Sequence, residues 1–222
     1  MAAPQDLVVK QFWPTTFYSR LWSEHAQEAA AIIEFLYSVR SGETNRIASG
    51  VAPAAKSSTG LFESNFNLFA ADHLGLNKLK AFIGETVQMA AAHANGSRTE
   101  PRRLRVGVVD SWFHITNQGG FHDAHFHGGC SWCGIYYLQI GESGQRTDGG
   151  APNGGNRFYS PLRVGGGYKD FGNQYLDFNF VDPPIQDGLL ILFPSYLMHS
   201  GLPYRGEKDR IVISFNSQVT VV

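Results

Sequence analysis

A chain of 222 residues, 43% of them hydrophobic, is long enough to fill one core, and its 18 basic and 19 acidic side chains nearly cancel. That balance leaves no electrostatic footprint for nucleic acid or an anionic membrane surface, and no apolar run reaches the roughly 18 residues of a membrane span. The opening "MAAPQDLVVK" lacks the charged-then-apolar pattern of a secretory leader, and two cysteines make no disulfide framework, so a cytoplasmic protein is expected.

In chain order, the first hundred residues read mostly as helix. Ser23 can cap a helix carrying Ala29, Ile32, Ile33, Leu36 and Tyr37, with Gly42 just past its end. A second helix places Leu76, Leu79, Phe82, Ile83, Thr86, Val87 and Ala90 on one face and stops at Asn95-Gly96. Between them "SGVAPAAKSSTG" reads as a loop. From about Leu104 the period changes to two. The stretches "RLRVGVVDSWFHIT", "CGIYYLQI", "QYLDFNFV", "GLLILF" and "RIVISFNSQVTVV" are short, β-branched and aromatic, divided by Gly, Pro and Asp turns. Strands without intervening helices predict an antiparallel sandwich or barrel. The segment from Gly141 to Gly167, rich in glycine, reads as a long loop of the kind that closes over a substrate. The expectation is one domain over 1–222, with 1–103 as mostly helical support and 104–222 as the β-core.

"FHDAHFHGGCSWCGIYYL" sets His122, Asp123, His125 and His127 within six residues. In an extended strand, residues two apart share a face with α-carbons about 6.5–7 Å apart. Asp123, His125 and His127 are thus expected on one face and His122 on the other. Two such imidazoles can chelate one metal if a third ligand arrives from a distant strand; a histidine-rich surface strand is the plainer alternative. "GLLILFPSYLMHSG" offers that third ligand, since a buried strand bends at Pro194 and His199 follows. Alone, His199 reads equally as a turn histidine. Arg210 opens "RIVISFN" and shares its face with Val212 and Ser214. It either snorkels to water or grips an anion, and its planar fork suits a carboxylate. Cys130 and Cys133 form a C-x-x-C lacking the second ligand pair of a zinc site, so packing is the better reading.

At these residues the sequence resembles the Fe(II)/2-oxoglutarate-dependent oxygenases, and among them a prolyl-hydroxylase-like family with the pattern W-x-N…H-x-H…S-G-V-Y-Y…F-P-S…H…R-I-S-I-S-F-N. The corresponding stretches are "SWFHITNQGGFHDAHFH", "WCGIYYL", "FPSYLMH" and "RIVISFN", and "GLFESNFNLF" is similar as well. The resemblance implies a double-stranded β-helix, a jelly roll, packed by the N-terminal helices, with Fe(II) at its open end and 2-oxoglutarate as cosubstrate. It implies metal ligands at His125, His127 and His199, with Asp123 as alternative carboxylate ligand or outer orienter. It places Arg210 and Ser214 on the distal carboxylate of 2-oxoglutarate, with Tyr137 of "IYYL" beside them; Tyr136 points to the other face. His114, standing where the family has Asn, would touch the cosubstrate's other end. Arg157, Phe158 and Tyr159 would belong to the substrate lid. The implied reaction couples 2-oxoglutarate decarboxylation to hydroxylation of a C–H bond on a small-molecule or peptidyl substrate, with ascorbate as reductant in an assay. A cupin-type enzyme or a ligand-binding module on the same barrel is the rival. Gly119 and Pro194 suit its spacing, but the Glu expected after H-x-H is absent and Arg210 would lack a task. The terminal "SQVTVV" offers an edge for pairing with a second copy.

Overall fold

The computed structural model describes residues 15–42, 60–96, 103–144, 152–161 and 179–221. The loop expected between the helices lies outside these residues apart from Gly60, as do 145–151 and 162–178, which include much of the glycine-rich segment and the start of "QYLDFNFV". Helix α1 spans His25–Gly42 and α2 spans Leu74–Asn95. The α2 face expected from helical spacing is the buried one, and the imidazole of His73 caps the helix by accepting from the Leu76 N–H.

Ten strands are described: β1 (Tyr18–Leu21), β2 (Leu61–Glu63), β3 (Leu104–Thr116), β4 (Gly120–His125), β5 (Trp132–Gln139), β6 (Asn156–Tyr159), β7 (Phe180–Val181), β8 (Leu189–Pro194), β9 (His199–Tyr204) and β10 (Arg210–Val221). They form a six-stranded sheet, β1-β8-β5-β10-β3-β2, and a four-stranded sheet, β4-β9-β6-β7. Every strand pairing is antiparallel. This is the expected jelly-roll core. Both edge strands of the larger sheet, β1 and β2, come from the stretch read as mostly helical. Runs of four and three residues are too short to show a period of two. The terminal strand pairs with β3 through Val221↔Leu104.

Alternation along each strand separates two apolar layers. Phe113, Ile115, Tyr136, Leu138, Ile211, Ile213 and Phe215 face outward and pack with Ile32, Leu36, Leu79, Ile83 and Val87 of the helices. Ile135, Tyr137, Ile191, Phe193 and Val212 face inward and meet Phe158 of the smaller sheet. The tyrosine pair divides between the layers as expected, and the outward Tyr136 hydroxyl lies 2.6 Å from His25 Nδ1.

One glycine is dictated by this packing. A Cβ on Gly134, in the middle of β5, would lie 2.2 Å from Cζ of the buried Phe215 ring. Gly134→Ala is therefore expected to destabilise the fold by about 1–3 kcal/mol through overpacking. A melting temperature several degrees lower in a thermal scan checks this; an unchanged one would contradict it.

Candidate metal centre

Between the sheets lies a cavity of about 710 Å³. His125 and His199 stand opposite each other on β4 and β9, and their ring centroids are 4.4 Å apart. His127 follows the end of β4, where its backbone N–H donates to the Ser195 carbonyl at 3.1 Å. Its ring lies 5.1 Å from that of His125 and 5.2 Å from that of His199. The three residues each offer a ligand atom, all within 4.8 Å of one another. His125 Nδ1 lies 2.7 Å from the Asp123 carbonyl oxygen, and His199 Nδ1 lies 3.0 Å from that of Leu197. A carbonyl only accepts, so each Nδ1 carries the proton and each Nε2 keeps its lone pair for a metal. Phe158 and Phe193 wall His199 on two sides. This donor set fits a divalent first-row ion.

Burial, reinforced by the nearby His122, pushes His125 down to about 3; burial likewise pushes His127 down to about 4 and His199 well below its ordinary range. All three are neutral near pH 7, as ligands must be. Below the unfolded value of about 6.5, the unfolded chain takes up protons that the folded chain refuses. Stability of the metal-free protein is thus full above about pH 6.5 and falls as pH drops toward these folded values. Melting temperatures of metal-free protein at pH 7.5 and pH 5 should show the fall, and His127→Gln should lessen it. Equal slopes in the two proteins would refute the assignment to His127.

Strict alternation fails in β4. Register shifts between Gly120 and His122, and again between His122 and His125, turn His122 into the cavity, its ring 4.3 Å from that of His125. The Asp123 carboxylate, expected on the ligand face, belongs to neither metal-capable group among the described residues; Asp123 instead orients His125 through its backbone carbonyl. The carboxylate that does enter is Glu63, from β2. Its Oε2 lies 3.0 Å from His114 Nε2 and 3.6 Å from His122 Nε2. Burial pushes Glu63 up, but its bonds to the two imidazoles together outweigh that and hold it well below the usual carboxylate range. Burial holds His114 below its ordinary value, so the bond is better described as a neutral imidazole N–H donating to a carboxylate. Glu63 escaped the sequence reading because a three-residue strand gives no pattern to read.

Across the cavity, Arg210 is 4% exposed, and its NH2 donates to Asn156 Oδ1 at 2.6 Å. Among the described residues its Nε–H has no hydrogen-bond partner, and neither do Thr116 Oγ and the Trp112 indole N–H, which line the same cavity. Buried polar atoms left unmet together are what a polar guest would satisfy. Ser214 lines this wall. Tyr137 does not: its hydroxyl donates to Asn156 Oδ1 at 2.9 Å, so it braces the arginine from behind. His114 lines the cavity with its Nε2 engaged by Glu63. The lid expectation is corrected. Arg157, Phe158 and Tyr159 form β6, where Arg157 is held by a bidentate bond to Asp182 at 2.8 and 2.7 Å and Phe158 is buried. Cys130 and Cys133 are free thiols, and Cys133 is buried, as the packing reading expects.

A family model described as "Putative 2OG-Fe(II) oxygenase" matches residues 110–216. Over that stretch the chain matches the 2-oxoglutarate–Fe(II) oxygenases. The chain is similar in fold to HygX from Streptomyces hygroscopicus, crystallised with nickel, 2-oxoglutarate and hygromycin B (12% identity, TM-score 0.54, 92% of this chain and 83% of that one). It is similar also to SnoN, the α-ketoglutarate-dependent epimerase of nogalamycin biosynthesis (12%, TM-score 0.56, 92% and 78%). A prolyl hydroxylase from Trichoplax adhaerens, in complex with a hypoxia-inducible-factor peptide, is a third (17%, TM-score 0.52, 90% and 83%). No curated protein matches the chain significantly by sequence. The family match supports a 2-oxoglutarate-dependent oxidoreductase. No helix among the described residues is long and apolar enough to cross a membrane.

Proposed function

We propose that this oxygenase binds Fe(II) through His125, His127 and His199 and 2-oxoglutarate through Arg210, and that it hydroxylates a C–H bond of a small-molecule or peptidyl substrate, an amino-acid side chain being the favoured class. One observation carries the reading: a buried guanidinium with an unmet N–H shares a cavity with three neutral, convergent imidazoles. Neutral ligands leave an ion's charge uncompensated, and Arg210 adds another positive charge beyond them. A dianion is the guest such a cavity favours.

When bound, the ion and cosubstrate supply the oxidising chemistry. The chain's own residues bind, orient and exclude water. Asn156 takes hydrogen bonds from both Arg210 and Tyr137, which fixes the guanidinium before the diacid arrives. Ser214, Thr116 and the Trp112 indole stand ready to complete the polar wall. Phe193, Phe158 and Val212 keep the inner end apolar. The cavity exceeds what a five-carbon diacid fills, so room remains for a substrate group. Phe126, 63% exposed on the cavity lining between two ligands, gives the incoming group an apolar surface.

The test is anaerobic titration with Fe(II) and 2-oxoglutarate, followed by the weak visible charge-transfer band of such complexes. Succinate release is then measured in air with ascorbate and a panel of amino acids and peptides. The band should appear, and succinate should rise with the right substrate. No band and no succinate would leave a ligand-binding barrel without turnover.

A further inference from the structure

We propose that Glu63, His114 and His122 form a second metal site in the same cavity, for a divalent first-row transition ion such as Mn(II), Fe(II) or Zn(II). Three separate strands build it. Glu63 and His114 are register partners on β2 and β3, so their side chains leave the sheet on one face. His122 joins from β4 through the register shift that breaks its alternation. One carboxylate oxygen and two imidazole nitrogens then lie within 4.8 Å of one another. Ligand atoms about 2.1 Å from one ion, at tetrahedral or octahedral angles, lie about 3.0–3.4 Å from each other. Glu63 Oε2 meets the two nitrogens at 3.0 and 3.6 Å. To close on an ion, the His114 proton moves from Nε2 to Nδ1, so that Nε2 turns from donor to Glu63 into a metal ligand.

Charge points the same way. Glu63 is 5% exposed, and its side-chain partners are two imidazoles. The Arg210 guanidinium lines the same cavity, but its hydrogen bond goes to Asn156. A carboxylate withdrawn from water without a bonded cation is costly, and a divalent ion removes that cost. Two imidazoles with one carboxylate favour transition ions over Mg(II) or Ca(II), which prefer all-oxygen cages. The site is distinct from the three-histidine set, although the His122 and His125 rings touch at 4.3 Å where the two meet. The alternative is a purely hydrogen-bonded triad that takes up no ion.

The experiment uses the full chain, stripped of metal and dialysed anaerobically against Mn(II), with bound metal counted by mass spectrometry. Wild type should hold two equivalents, and its electron paramagnetic resonance should show two neighbouring ions. Glu63→Gln and His122→Gln should each hold one, His199→Ala should hold one, and Glu63→Gln with His199→Ala should hold none. A wild type that holds a single equivalent, kept by Glu63→Gln and lost by His199→Ala, overturns the proposal without relying on any variant's fold. A single equivalent lost by Glu63→Gln and kept by His199→Ala would sustain this site and overturn the three-histidine reading instead.

Discussion

His199→Ala is expected to abolish the Fe(II)–2-oxoglutarate charge-transfer band and all succinate release. His199 lies on β9, directly opposite His125, and its Nδ1–H is held by the Leu197 carbonyl, so its Nε2 is aimed before any ion arrives. Losing an outer partner of a metal ligand costs about 10–100-fold in affinity; losing the ligand itself should cost more. His127→Ala should fail the same way. Asp123→Asn should change affinity only a few-fold, because Asp123 acts through its backbone carbonyl, which the substitution keeps. Metal titration of the three variants, read at the band, decides this. Comparable losses for Asp123→Asn and His127→Ala would return the aspartate to the ligand set.

Arg210→Ala is expected to spare metal binding and remove the diacid. Leaving a carboxylate in a cavity without its charged partner costs about 2–5 kcal/mol, or roughly 30-fold to several-thousand-fold in Kd. The guanidinium is almost wholly buried and anchored by Asn156, so water does not readily replace it. Arg210→Lys should fall between, since an ammonium keeps the charge without the planar fork. Asn156→Ala should also weaken 2-oxoglutarate, by less, because it loosens both Arg210 and Tyr137. Calorimetric titration of 2-oxoglutarate into Mn(II)-loaded protein separates these cases. Unchanged affinity in Arg210→Ala would remove the clamp from the reading.

Much of this was legible in the residues. The α2 face, the long strands β3, β5, β8 and β10, and the inward set Arg210, Val212 and Ser214 follow from periodicity, because long elements repeat a pattern often enough to declare it. Short strands do not. β1 and β2 passed for helical surroundings, and β6 passed for loop although Phe158 buries itself beside His199. Glu63 and Asn156 were missed for that reason, one lying on each of two such strands. His122 was assigned to the wrong face because a bulge is invisible to a rule of two.

By itself, then, the order of residues determined the jelly-roll core and singled out the three imidazoles and the arginine as candidates, since each sits in or beside a pattern that neighbours in the chain create. Only the tertiary structure decided what else enters the cavity. Glu63 meets His114 and His122, and Asn156 meets Arg210, across 51, 59 and 54 residues of chain. Contacts that distant depend on which strands pair and where their register slips, and that is settled by packing of the whole sheet rather than by any local stretch.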